Sequence, residues 1–220
     1  MKNKKLKSRI IEIAHKHKLS HLGSSLTSVD IINDIYSKKK PDERFVLSAG
    51  HAGLALYVVL EKFGYGDAEE MHNDMGVHPE KNAKWPIDAS SGSLGHGLGI
   101  ALGMALADRQ RNVYCMISDG EYAEGSILES LRIAREQHAT NLKIYMNING
   151  YSAYKEVDLP EIHRDIQNYI ADGVQINICR TNMDEWKYVK GLQGLKAHYY
   201  VLTDEDKHQI DEELEWLKDD

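Results

Sequence analysis

Cysteine occurs only twice in these 220 residues, at Cys115 and Cys179. That scarcity excludes a disulfide framework: both sit inside β-like apolar runs, as buried thiols of a reducing compartment do. The expected location is the cytoplasm. Long apolar runs are also missing. No stretch approaches the roughly 20 residues that span a bilayer, so a membrane protein is not expected. The basic start, MKNKKLKSRIIEIAHKHK, has its apolar residues broken by Glu12, His15 and Lys16, and no small-residue cleavage site follows. It reads as an amphipathic helix and not as a signal peptide. Positive charge is in deficit too. With 27 Lys and Arg against 34 Asp and Glu, the net charge is −7, which argues against a nucleic-acid surface built on bulk charge. An anionic ligand would need a metal or oriented backbone dipoles.

Repeats, low-complexity tracts and Pro/Gly/Ser linkers are absent as well, so residues 1–220 are expected to form a single domain. The composition, 42% hydrophobic and 28% charged, is that of an ordinary globular chain. Five short β-like runs stand out: 45–48, 113–118, 142–148, 174–179 and 199–202. Segments of helical periodicity separate most of them, which predicts an α/β fold, a parallel sheet of about five strands covered by helices on both faces. The acidic end, DEDKHQIDEELEWLKDD, reads as a solvated terminal helix.

Chemistry concentrates in ISDGEYAEGSILESLRIAREQHATNLKIYMNINGYSAY, residues 117–154. Ser126 and Glu129 have the spacing of a capping box, predicting a helix that begins there with Ile127, Leu131 and Ala134 on one face. Asp119–Gly120 then lies between a strand and a helix. Asn149 ends the next strand 30 residues on, about the length of one βαβ unit. In open parallel sheets ligands bind outside the carboxyl ends of the strands. One carboxylate, one amide oxygen and a nearby backbone carbonyl would suit Mg²⁺ carrying a diphosphate, although Asp-Gly and Asn-Gly are also ordinary turn dipeptides.

SDGEYAEGS followed by NINGY resembles the thiamine diphosphate motif of the transketolase family. Three more stretches match that family in the same order: SHLGSSLTSVDI at 20–31, FVLSAGHAGLALY at 45–57, and GVHPEK leading to SSGSLGHGLGIALGMALA at 76–107. The resemblance covers roughly residues 8–155. It implies that Asp119, Asn149 and the carbonyl of Tyr151 ligate Mg²⁺ (or Ca²⁺ or Mn²⁺), and that Gly120 lets its backbone N–H approach the diphosphate. Gly92 and Leu94 would lie against the aminopyrimidine, where the alternative is a plain glycine-rich turn. Glu124 would sit near the subunit interface and the activating machinery; the alternative is a favourable acid in a first helical turn. His21, His51 and His78 fall at family histidines that line the substrate channel, with His51 also contacting the cofactor. His15 and His17 match nothing in the family and read as solvated helix residues.

The glycines of GHGLGIALG have the wrong order and spacing for a dinucleotide loop. Gly95, Gly99 and Gly103 instead recur every fourth residue, on one helical face where another backbone could come close. In the resembled family this helix lies at a subunit interface. The family's activating glutamate is carried by a second, pyrimidine-binding domain, for which 220 residues leave no room. The expectation is therefore the N-terminal subunit of a split, transketolase-like enzyme, whose partner is a separate pyrimidine-binding subunit, with a heterotetrameric assembly and ketol transfer between sugars. Two alternatives stay open. SHLGSSL also resembles 1-deoxyxylulose-5-phosphate synthase, and Ser118 and Asn147, which replace a family glycine and a common aspartate, suit a non-catalytic binding subunit.

Overall fold

The computed structural model describes residues 1–82, 84–152 and 154–216. Among these, four parallel strands lie side by side in chain order: β1 (Arg44–Leu47), β2 (Val113–Ser118), β3 (Leu142–Ile148) and β4 (Ile176–Arg180). Their register aligns Val46 with Cys115, Cys115 with Ile144, and Ile144 with Ile176. One apolar row therefore crosses the whole sheet. Side chains alternate faces along each strand, so Val113, Cys115 and Ile117 enter one core while Tyr114 and Met116 enter the other. Burial on both faces is why the strands read as nearly continuous apolar runs.

The chain begins with α1 (Lys4–Lys16) and α2 (Leu22–Lys38), passes through β1, and continues into α3 (Gly53–Lys62) and α4 (Ala68–Met75). These four helices share one core, with Ile10, Ile32, Leu60 and Met71 all fully buried. The helices that follow, α5 (His96–Ala107), α6 (Gly125–Glu136) and α7 (Leu159–Ala171), cover the opposite face through Leu98, Leu131 and Ile166. Consecutive parallel strands joined by right-handed crossovers put successive helices on the same side. The last helix, α8 (Asp204–Trp216), returns to pack on α1.

The strand expected at 199–202 does not form. Three 3₁₀ turns between Asp184 and His198 carry the chain away from the sheet edge, and Leu202 is buried in the α1–α4 core without pairing. A short apolar run signals burial and not a ladder partner. The terminal helix is likewise less solvated than expected, because Ile210 and Leu214 are buried in the same core. The capping box is absent too. α6 begins at Gly125 after Glu124, Ser126 Oγ donates to the Gly95 carbonyl instead, and Glu129 pairs with Arg132. His15 and His17 are half-buried and partnered, by Asp204 at 2.8 Å and Glu69 at 2.6 Å. No helix of the described residues is long and apolar enough to cross a membrane.

Candidate functional site

Three turns leave the carboxyl ends of β1, β2 and β3 side by side. The first runs through a 3₁₀ turn at Gly50–Ala52 and carries His51. The second is a 3₁₀ turn at Gly120–Ala123 preceded by Asp119. The third is a loop from Asn149, closed where Val157 N–H donates to the Gly150 carbonyl at 3.1 Å and Ser152 N–H to the Lys155 carbonyl at 2.9 Å. Between them opens a cleft of about 170 Å³ reached by His21, His51, His78 and Asn149, with Gly92 and Leu94 on its wall. A second cavity of about 250 Å³ adjoins it at Ser24, Asn149, Tyr151 and His198.

Asp119 is buried, and its carboxylate joins two of these turns. Oδ1 accepts the Gly120 N–H at 3.0 Å, while Oδ2 accepts the N–H groups of Asn149 at 3.0 Å and Gly150 at 2.7 Å. Burial pushes its pKa up to about 6, against the pull of those three backbone donors. A carboxylate offers about four lone-pair positions; donors among the described residues use three, which leaves one on Oδ1 open to a cation. Among the described residues Asn149 Oδ1 accepts only the Tyr151 N–H, at 3.0 Å.

Gly120 sits against this oxygen set. A Cβ there would lie 3.1 Å from Ser152 Cα and 3.5 Å from the Tyr151 carbonyl oxygen, so a side chain would fill the space between the two turns. One carboxylate, one amide and one carbonyl make a hard-oxygen donor set of the kind Mg²⁺ accepts, with the remaining positions left for water and phosphate. The residues present therefore fit a metal–diphosphate group.

The histidines form one cluster, to which the structure adds a fourth. His21 lies 4.4 Å from His198 between ring centroids and 5.8 Å from His51. Burial, then mutual repulsion, lowers His51 to about 3 and His21 to about 4; burial also lowers His198. At neutral pH these three are uncharged imidazoles, able both to donate and to accept. His21 has φ of 59°, a left-handed conformation that histidine tolerates better than most side chains, and its Nδ1 is buried without a partner among the described residues. His78 is exposed, with its ring 3.0 Å from where a Cβ on Gly92 would be. Only glycine lets the ring lie on that backbone, which has φ of 147°.

Glu124 does not line the cleft. It is half-buried behind it, against Gly95. Sequence reasoning misses two residues. His198 ends a 3₁₀ turn with no periodic signal, and its carbonyl accepts the His21 N–H at 2.9 Å. Glu121, two residues past Asp119, is fully buried; its carboxylate partners make it part of the site's frame, and nothing local in the sequence marks it.

The two departures at 118 and 147 are both accommodated. Ser118 donates its N–H and its hydroxyl to Glu121 at 3.0 and 3.3 Å. Asn147 is buried beneath Asn149, donates to Thr27 and Ser28, and accepts from Thr181 at 2.5 Å. Neither side chain disturbs the turn oxygens.

Fold and site define an open parallel α/β domain with a cleft at its strand ends. The family described as "Transketolase, thiamine diphosphate binding domain" matches residues 10–197, and the chain belongs to that family. One of the subunits that make up the apulose-4-phosphate transketolase of Phocaeicola vulgatus is 30% identical over 169 residues, covering 68% of this chain and 60% of that protein. Human transketolase is 37% identical over 119 residues, 49% of this chain but 19% of its own length. The chain thus spans about three-fifths of the first relative and a fifth of the second. The solved transketolase of Campylobacter jejuni superimposes with a TM-score of 0.76 over 96% of this chain and 41% of that one, at 21% identity, a likeness of fold.

Proposed function

We propose that this chain is the diphosphate-binding subunit of a split transketolase-like enzyme, which transfers a two-carbon ketol unit from a ketose to an aldose. The observation that carries the reading is the convergence of Gly120 and Asn149, both bonded to the buried Asp119, with His21, His51 and His78 on one cleft. In this reading Asp119, Asn149 and the Tyr151 carbonyl hold Mg²⁺, His51 holds the diphosphate, and Gly120, having no side chain, leaves it room. Bound thiamine diphosphate supplies the nucleophilic carbon and the electron sink for ketol transfer. The neutral imidazoles of His21 and His51 orient sugar hydroxyl groups, and His198 joins them. His78 stands at the open side of the cleft, where a substrate hydroxyl arrives.

A partner carrying the pyrimidine-binding domain, in an assembly of two chains of each type, completes this proposal. The Phocaeicola relative, itself a subunit by name, supports it, as does the α5 surface. There Gly99, Ile100 and Gly103 are exposed and a Cβ on Gly103 would meet nothing, whereas Gly95 is taken up by packing on Ser126 and Glu124 within the chain. Free Cys115 and Cys179 suit the cytoplasm. Calorimetric titration with thiamine diphosphate and Mg²⁺, with and without the partner, tests the reading. Tight metal-dependent binding that sharpens with partner supports it; no binding in either condition sinks it.

A further inference from the structure

Glu121 is 0% exposed and does not line the cleft. Its carboxylate accepts four hydrogen bonds. On Oε1 these come from Ser48 Oγ at 2.7 Å and the Gly95 backbone N–H at 2.9 Å; on Oε2 they come from the Ser118 N–H at 3.0 Å and the Ser118 hydroxyl at 3.3 Å. A buried carboxylate is costly unless its oxygens are satisfied in this way. Here every named donor is a backbone or hydroxyl dipole.

Each donor stands at the root of a different site segment. Ser48 follows β1 just before the turn that carries His51. Gly95 follows Leu94. Ser118 precedes Asp119. The surrounding glycines remove any slack: a Cβ on Gly50 would come within 2.6 Å of the Gly92 nitrogen, and one on Gly97 within 2.5 Å of Ser48 Cα. The backbones of the first two segments therefore touch each other, and Glu121 ties both to the third.

We infer that Glu121 is a positioning residue for the cleft: it holds the His51 turn, the Gly92–Leu94 wall and the Asp119 turn in one register without touching ligand. The ligand in question rests on the thiamine diphosphate reading above; the positioning rests on geometry alone. Glutamine is a sharp probe because it keeps the shape. A serine hydroxyl can rotate to accept from an amide NH₂, but a backbone N–H cannot. Whichever way the amide of Glu121→Gln turns, the N–H of Gly95 or of Ser118 loses its acceptor.

The experiment compares the full-length parent, Glu121→Gln and a control, Asn141→Ala. Asn141 is also buried but lies away from the cleft, donating to the carbonyls of Ala105, Asp108 and Arg111. Amide hydrogen exchange without cofactor should quicken in Glu121→Gln at residues 48–52, 92–97 and 118–120 while the β3–β4 ladder stays protected, a pattern Asn141→Ala should not give. Titration with thiamine diphosphate and Mg²⁺, at a temperature where all three are folded, should show at least about tenfold weaker binding for Glu121→Gln and parental affinity for Asn141→Ala. Evenly quickened exchange along the chain, or the same affinity in Glu121→Gln and the parent, would overturn the inference. If the parent binds no cofactor, the functional reading fails, and the exchange pattern still decides the role of Glu121. Should Glu121→Gln not fold, Ser48→Ala removes one donor; it should loosen only the Gly50–Ala52 turn, and unchanged exchange there would refute the tie.

Discussion

Asp119 Oδ2 accepts the Gly150 backbone N–H at 2.7 Å, so a side chain from the end of β2 fixes the backbone at the end of β3. Two turns 30 residues apart in sequence thereby become one wall of a cleft. In the proposed function the same carboxylate also serves a cation, so Asp119 would be both a frame and a ligand.

Replacing Asp119 by asparagine tests both roles. The amide keeps the volume but cannot serve all three N–H groups and a cation. We expect Mg²⁺-dependent cofactor binding to fall below detection in calorimetry, with a stability loss of about 1–3 kcal/mol from the unpaired backbone donors. Equal affinity in parent and variant would remove the metal assignment.

Proton competition at Asp119 gives a pH signature. With its pKa at about 6 in the metal-free protein, a proton must leave before a metal can enter. Mg²⁺-dependent binding should weaken progressively as the pH falls through 6, and calorimetry across that range reads it. An affinity independent of pH there would contradict the role of Asp119.

Acid should also destabilise the histidine cluster. A free imidazole titrates at 6.5, whereas His21 and His51 are held at about 4 and about 3. Between these values the unfolded chain binds protons that the folded chain refuses, so stability is lost as the pH falls from 6.5. Asp119, raised from 3.8, works in the opposite sense within part of that window. His51→Gln should flatten the acid loss measured by urea unfolding; an unchanged slope would mean that His51 does not contribute.

Gly120→Ala places a methyl group 3.1 Å from Ser152 Cα, a backbone atom that yields only if the loop moves. The expected cost is about 1–3 kcal/mol, with weaker cofactor binding. His78→Ala, by contrast, removes an exposed ring and should spare cofactor affinity while lowering kcat with the partner present. Unchanged turnover would return His78 to an ordinary loop residue.

Asn147→Asp restores the residue common in the resembled family and should nonetheless destabilise this chain. The Thr27 hydroxyl already donates to the Gly23 carbonyl at 3.0 Å, leaving it to accept from the Asn147 amide at 3.1 Å. A carboxylate would face that oxygen with no proton between them. A loss of about 1–3 kcal/mol in thermal or urea unfolding is expected; a neutral result would show that the Thr27–Asn147 bond carries no weight.

The four strands, the helices between them and the pair Asp119–Asn149 were legible in the sequence because each is a local pattern: an apolar run, a period, a turn dipeptide. The ordered motifs also located His21, His51 and His78. Only the tertiary structure decided that residues 199–202 are buried without pairing, that Ser126 reaches Gly95 and not its own helix end, and that His198 joins the cluster from across the fold. It also decided the place of Glu121, whose partners Ser48 and Gly95 lie 73 and 26 residues away. The reason is physical. Burial and turn chemistry depend on a few neighbouring residues, but a hydrogen bond between distant segments depends on where folding brings them, and a single charged letter between a glycine and a tyrosine does not say which donors will surround it.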